Sequence, residues 1–165
     1  ALKLPNWNKP STSGICFIGG MPFQQFITQK VKGKPGIITD PEGNTVGTHQ
    51  GIQKYTIGQH IAVQKPEGIQ KKWFVADKKG TTIITAPEGH PRLYTKKIKL
   101  KKISSIDGHQ IPKNVTVKIR YRSPPLTATL IKTTLTLSKP QAGIAPGQYV
   151  VFYKGKECLG CAEIA

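Results

Sequence analysis

The three cysteines are the residues of this chain best suited to covalent or redox chemistry, and they occupy two different settings. Cys16 lies in Gly14-Ile15-Cys16-Phe17-Ile18-Gly19-Gly20, between apolar neighbours and flanked by glycines. A working cysteine has to be a thiolate, and no cation stands beside Cys16 in sequence to favour one. Two readings therefore stay open for it: a small buried packing residue, or a sulfur exposed by a tight loop that the glycines permit. Cys158-Leu159-Gly160-Cys161 has the spacing of a redox pair or of half a zinc site. A structural zinc wants four ligands, yet there is no second C-x-x-C, and His49, His60, His90 and His109 are scattered. In a regular strand residues three apart face opposite sides, so this pair could share a metal only if the strand bulged near Gly160. Packing is the simpler reading of Cys158 and Cys161, and no metal site is expected. Eight carboxylates with no pair in a recognisable setting give acid–base hydrolysis little support. No GxxxxGK[ST] loop is present to cradle phosphates, and the Asn114-Val115-Thr116 sequon carries no weight in a cytosolic chain.

Charge is the stronger signal. Across 165 residues there are 25 Lys and Arg against 8 Asp and Glu, a formal charge of +17. Only Arg92, Arg120 and Arg122 among those cations are arginines. Such a surplus attracts polyanions, nucleic acid first among them, although lysines also serve simply to fill solvated positions. They concentrate at Lys30-Val31-Lys32-Gly33-Lys34, Lys71-Lys72, Lys78-Lys79 and the run Lys96, Lys97, Lys99, Lys101, Lys102. Ile98, Leu100 and Ile103 interleave with that run, which predicts a strand with one buried and one basic face. A face of this kind binds phosphates without reading sequence, and its affinity falls steeply with salt. Apolar runs are too short to span a bilayer, and no basic amphipathic helix suits a membrane surface. No signal segment opens the chain, and an odd cysteine count argues for a reducing compartment, so a soluble cytoplasmic protein is expected. The chain opens on Ala1 rather than Met, so Ala1 is not expected to be the native start.

The elements that must position these groups are mostly strands. One helix is predicted over Pro22–Lys30, where Phe23, Phe26 and Ile27 form a stripe. Ile37–Thr39 and Thr45–Val46 flank the turn Asp40–Asn44. Trp73–Val75 and Thr81–Thr85 flank Asp77–Gly80 as a hairpin. Val115–Tyr121 alternates with one apolar face, Leu126–Leu137 reads as two strands bent near Lys132-Thr133, and Gln148–Tyr153 joins Glu157–Ile164 across Lys154–Lys156. The pattern predicts a mainly β protein: a small β-rich unit over 14–88, then an antiparallel β-barrel over 89–165, divided near Pro87–Pro91. Residues 1–13, polar and proline-bearing, read as a linker.

Read in order, Ser13-Gly-Ile-Cys-Phe-Ile-Gly19, Gly47-Thr-His-Gln-Gly51, Tyr55-Thr-Ile-Gly-Gln59, Trp73-Phe-Val-Ala-Asp77, His90-Pro-Arg-Leu-Tyr94, Arg120-Tyr121-Arg122, Pro146-Gly-Gln-Tyr-Val-Val-Phe-Tyr153 and Cys158-Leu-Gly160 resemble the C-terminal half of the tRNA-specific 2-thiouridylases. The resemblance implies an N-terminal ATP-pyrophosphatase domain outside these residues, joined through 1–13. It implies in addition a central β-rich domain and a C-terminal barrel similar to one in elongation factors. ATP with Mg2+, held by that N-terminal domain, would adenylate the wobble uridine. Sulfur would come from a persulfide on Cys16, a sulfurtransferase chemistry that carries a disulfide bond with it. The resemblance thus favours the catalytic reading of Cys16. Arg120, Tyr121, Arg122 and Gln148 match tRNA-contacting positions, and RNA contact is also expected at Gln59 and His60. After Gln59, however, His60-Ile-Ala-Val63 stands where the family usually has Arg-Lys-Gly-Leu. Implied partners are tRNA and a sulfur-relay donor protein, with the chain acting as a monomer. On its own the chain is expected to be inactive. The alternative is a stand-alone basic β-barrel that binds RNA without catalysis.

Overall fold

A computed structural model gives the fold and describes residues 19–64, 71–120 and 123–165. The chain divides into two compact units, residues 1–32 and 33–165. In the first, helix α1 (Phe23–Lys30) forms where the spacing predicts it. Pro22 fits just ahead of it, since proline lacks only an N–H that a helix start leaves unpaired. The Pro22 carbonyl accepts from the N–H groups of Gln25 and Phe26 at 3.0 and 3.1 Å. Among the described residues no helix is long and apolar enough to cross a membrane.

The second unit is almost wholly β and begins with a five-stranded sheet. Its strands are β1 (Gly36–Thr39), β2 (Thr45–His49), β3 (His60–Ile61), β4 (Trp73–Lys79) and β5 (Thr82–Pro87), in the order β2-β1-β5-β4-β3. Every pair is antiparallel except β1 with β5. Ile38, Val46, Ile61, Trp73, Val75 and Ile83 form its core. The β1–β2 turn is held by Asp40, whose Oδ1 accepts from the N–H groups of Glu42 and Asn44 at 3.0 and 2.8 Å. Oδ2 accepts from the Asn44 side chain at 2.8 Å. The β4–β5 hairpin is tighter than its composition suggests: Asp77, Lys78 and Lys79 belong to the strand, leaving Gly80 and Thr81 as the loop. Gly80 takes φ 55, a value that glycine adopts without strain.

His49, read above as one of four scattered histidines, ties this sheet together. It is 3 % exposed. Its Nε2 donates to the carbonyl of Thr81 at 2.8 Å, and its Nδ1 accepts from the N–H of Gly51 at 3.0 Å. Both ring nitrogens are thus satisfied by a neutral imidazole protonated on Nε2.

A closed six-stranded antiparallel barrel follows. Its strands are β6 (Tyr94–Ser105), β7 (Asn114–Lys118), β8 (Leu126–Ile131), β9 (Thr134–Ala142), β10 (Tyr149–Lys154) and β11 (Glu157–Ile164), in the order β10-β11-β6-β9-β8-β7. Closure pairs β10 with β7 and leaves no open edge. Alternate residues of all six strands fill the interior, with Val117, Leu135, Val150, Phe152 and Ala162 the most deeply buried. The expectation of a mainly β chain ending in an antiparallel barrel therefore holds. Leu126–Leu137 is two strands joined by the two-residue loop Lys132-Thr133. Strand β7 ends at Lys118, three residues short of the predicted Tyr121.

The basic strand departs from simple alternation at one point. Ile98 and Leu100 are buried, but Ile103 is 38 % exposed rather than in the core. Glu163 pairs with Lys101 and Cys161 with Ser104, so two residues of β6, Lys102 and Ile103, oppose one of β11. This is a β-bulge, and Lys102 adopts φ 51 within it. The bulge turns Lys101 and Lys102 toward one carboxylate, and each Nζ lies 3.0 Å from a Glu163 oxygen. Hydrogen bonds from Lys102, then Lys101, hold the Glu163 carboxyl below the usual range, with the charges of the two lysines adding to them.

Candidate nucleic-acid interface

Sheet and barrel meet where two glycines face each other. Gly58 precedes Gln59 in the segment Tyr55–Gln59, and Gly143 opens the connection from β9 to β10. A Cβ added at Gly58 would lie 2.5 Å from the Gly143 Cα, closer than carbon atoms approach. A Cβ on Gly143 would overlap the Arg120 guanidinium. Arg120, just beyond β7, donates from Nη2 to the Gly143 carbonyl at 2.6 Å. Its own main chain is fixed by Ser123, whose Oγ donates to the Arg120 carbonyl at 2.7 Å.

Around this contact opens a cleft of about 240 Å³, lined by Phe74 of β4, Glu88, Tyr94 of β6 and Arg120. Tyr94 is 43 % exposed. The cleft offers a planar cation, a phenol ring and a phenyl ring in one concavity, the set of groups that stacks on bases and grips phosphate. Reading the sequence did not single out Phe74, Glu88 or Tyr94 as site residues. Tyr94 closes the block His90–Tyr94, whose His90 Nδ1 accepts from the Arg92 N–H at 3.2 Å, and that compact turn was the available signal.

Gln59 and Gln148, both expected at the RNA, turn out to perform the same local task. In Thr56-Ile57-Gly58-Gln59 the Gln59 N–H donates to the Thr56 carbonyl at 3.0 Å, and the Gln59 Oε1 accepts from the Thr56 N–H at 2.9 Å. In Ala145-Pro146-Gly147-Gln148 the same two bonds measure 3.3 and 3.2 Å. Gly58 and Gly147 take φ 82 and 84, the positive values such turns demand at their third position. Each glutamine thus locks its own turn through its side-chain oxygen, and its side-chain NH2 remains as the donating group.

His60 is exposed on the edge strand β3, with its ring edge-on to Phe74 at 5.8 Å between centroids. The structure thus gathers Gln59, His60 and Arg120 around the sheet–barrel junction. Gln148 lies at the far end of the connection that Gly143 opens. There it lines a second concavity with Lys118 and Tyr153, the Lys118 Nζ standing 6.0 Å above the Tyr153 ring. Cys16, Tyr121 and Arg122 lie outside the described residues.

The second cysteine setting is also redrawn. Phe152 pairs with Gly160 and Tyr153 with Cys158, so Leu159 is the extra residue of a bulge on β11. Leu159 packs against the barrel core, Cys158 is exposed and Cys161 half-buried. Gly160 is required because a Cβ there would overlap the Ser104 carbonyl on β6. Both thiols are free, and the disulfide implied by the resemblance is not formed between them. Among the described residues no three His, Cys, Asp or Glu side chains converge on a metal position.

A basic barrel abutting a small sheet, with arginine and aromatic groups at the seam, defines a two-part module suited to a polyanion. Two family models match it in the same order. The tRNA methyl transferase PRC-barrel domain covers residues 24–84, and the aminomethyltransferase beta-barrel domain covers residues 95–164. The tRNA-specific 2-thiouridylase MnmA of Alkalilimnicola ehrlichii is 34 % identical over 174 residues, covering 97 % of this chain and 48 % of the relative. The protein of the same name from Blochmanniella pennsylvanica is 36 % identical, covering 96 % and 47 %. That from Vibrio cholerae is 35 % identical, covering 92 % and 44 %. The chain belongs to this family, matching its central and C-terminal domains, and spans about half the length of the curated relatives it matches.

Proposed function

We propose that this chain is the tRNA-binding, sulfur-carrying portion of a tRNA 2-thiouridylase. The observation that carries the reading is the alignment of more than nine-tenths of the chain with relatives of that name. The junction supports it physically, since Arg120 is anchored by one guanidinium nitrogen and leaves the rest of its fork to meet phosphate or base. Phe74 and Tyr94 supply stacking faces beside it, and His60 a further donor. The carboxamide NH2 groups of Gln59 and Gln148 face the same task from turns rigid enough to hold them.

Cys16 is assigned the sulfur. As a persulfide its terminal sulfur is a stronger nucleophile than a hydroxyl, able to bond the C2 carbon of a uridine whose oxygen has become a leaving group. Freeing that sulfur from Cys16 leaves a disulfide with a second thiol. Exposed Cys158 and half-buried Cys161 are given no part in that step. A sulfur-relay protein would load Cys16. ATP with Mg2+ does not fit the described residues, which offer no carboxylate cluster, and the sequence has no phosphate-binding glycine loop. Its site is assigned to a portion of the enzyme beyond this chain, and no step is routed through it here. The setting is the cytoplasm and the acting unit a monomer.

The test uses the full-length enzyme on unmodified tRNA, with 2-thiouridine measured by mass spectrometry of the digested product. Cys16→Ser should abolish thiolation while leaving tRNA binding intact. Thiolation retained by that variant would remove Cys16 from the chemistry and leave an RNA-binding module. Arg120→Ala should weaken tRNA binding, and an unchanged Kd would remove the junction from the interface.

A further inference from the structure

The outer wall of the barrel carries a feature that the junction does not explain. Strand pairing sets Asn114, Thr129, Thr136 and Lys97 side by side, one from each of β7, β8, β9 and β6. Direct partners share a face, and the residues flanking this row, Val115, Ala128, Leu135 and Ile98, are buried, so the row faces outward. A second row, Tyr153, Thr116 and Thr127, runs parallel to it on β10, β7 and β8. Between and around the rows lies an open groove of about 490 Å³, with Lys96 and Lys154 among its walls. Hydroxyls along the floor and ammonium groups on the rim make a surface of donors.

Its charge is one-signed. Strands β6 to β10 contain no Asp or Glu at all. The carboxylates of the barrel strands, Glu157 and Glu163, both sit on β11, and Glu163 is already occupied by Lys101 and Lys102. Apart from Lys101 and Lys102, the lysines of β6, β7, β9 and β10 thus have no carboxylate on any of the five strands β6 to β10 to offset them. That is a match for a polyanion and not for a neutral or basic partner. Neighbouring strands lie about 4.8 Å apart and alternate residues along a strand about 6.7 Å apart, a mesh on which several donors reach one sugar–phosphate chain. Tyr153 lines both this groove and the concavity that holds Gln148, so the two adjoin at that residue.

We infer that the hydroxyl and lysine rows on the outer wall of β6–β10 form a backbone-binding track for RNA, extending the footprint from the junction across the barrel. The inference rests on the tRNA-binding reading above. The track contacts phosphate and ribose, so it adds affinity and salt sensitivity without reading base identity.

The experiment measures binding of the 165-residue chain to fluorescein-labelled unmodified tRNA by anisotropy across a salt series. Lys96→Glu/Lys97→Glu is compared with Lys72→Glu/Lys79→Glu, which changes net charge equally but lies on and beside β4. The track variant should bind about tenfold more weakly than this control, with a salt slope less negative by about one unit per lost phosphate contact. Thr129→Val/Thr136→Val, which keeps size and strand preference, should weaken binding severalfold with the slope unchanged. Circular dichroism of each variant establishes that it is folded. Track variants indistinguishable from the control, with Arg120→Ala still impaired, would overturn the track and leave the junction reading standing. Wild-type chain that fails to bind tRNA even at low salt would overturn both. Poly-glutamate displacing the tRNA as effectively, charge for charge, as unlabelled RNA would assign the wall to an acidic protein surface instead.

Discussion

The Arg120 guanidinium donates to the carbonyl of Gly143 at 2.6 Å, at the point where Gly143 meets Gly58 across the seam between sheet and barrel. One residue placed by the resemblance at the RNA is therefore also a fastener between the two parts of the module. A charged donor on a carbonyl is worth more than a neutral one, but Arg120 is exposed, so Arg120→Ala should cost about 1 kcal/mol of stability. Gly58→Ala should cost more, about 2 kcal/mol or above, because it combines a left-handed φ with an overlap against main chain. Urea denaturation of the two variants checks both. If Gly58→Ala unfolds at the wild-type midpoint, the glycines are not in contact.

Much of this architecture was readable beforehand, because period-2 alternation and turn residues act locally. Val115 and Val117 alternate with polar residues, and Tyr149 to Lys154 is a β-branched and aromatic run ended by the turn residue Gly155; both become strands. What could not be read was set by pairing between distant strands. Ile103 interleaves with the lysines as Ile98 and Leu100 do, but the extra residue opposite Ala162 breaks the alternation there, so its exposure could not be read from spacing. The C-x-x-C geometry changed for the same reason, since Leu159 bulges where Tyr153 pairs with Cys158. At the candidate site, residue types pointed to Arg120 and Gln148, whereas the Gly58–Gly143 contact joins positions 85 apart in number and leaves no local trace.

His49 is the clearest case of a residue whose scattered position in sequence hid a structural duty. Its ring nitrogens bridge Thr81 and Gly51, and its edge meets Tyr55 at 5.8 Å. His49→Ala should destabilise the sheet by about 3 kcal/mol, since two buried main-chain groups lose partners and a cavity opens. His49→Gln should recover part of that loss. Nitrogen-15 NMR of the imidazole should show the proton on Nε2. A proton on Nδ1 would contradict the bond from the Gly51 N–H.

Acid should loosen the β1–β2 turn through Asp40. Burial alone would raise its carboxyl, but the Asn44 side chain and the N–H groups of Asn44, Gly43 and Glu42 outweigh it and hold the carboxyl below its ordinary value of 3.8. A carboxylate lowered in the folded state contributes stability that is fully present above its unfolded pKa. That contribution disappears as pH falls through the lower, folded value. The stability advantage of the wild type over Asp40→Asn should therefore be constant from neutral pH down to about pH 5, shrink below pH 4 and vanish under stronger acid. Thermal unfolding of both proteins over that range provides the measurement. An advantage that grows on acidification would refute the assignment.

The β8–β9 hairpin offers a route to a more stable chain. Its loop is Lys132-Thr133, closed by the pairing of Ile131 with Thr134, and Lys132 sits at φ 53. A lysine Cβ in that left-handed region crowds the following carbonyl, at a cost of roughly 1 kcal/mol. Asparagine tolerates the same φ because its short polar side chain bonds locally. Glycine tolerates it too, but gives back part of the gain through the freedom it adds to the unfolded chain. Lys132→Asn should thus raise stability by about 0.5–1 kcal/mol and Lys132→Gly by less, both read from urea midpoints at unchanged m-value. Lys132 is exposed and makes no ion pair among the described residues, so no lost contact offsets the gain. A midpoint below wild type for Lys132→Asn would mean that the hairpin does not turn through a left-handed residue at this position.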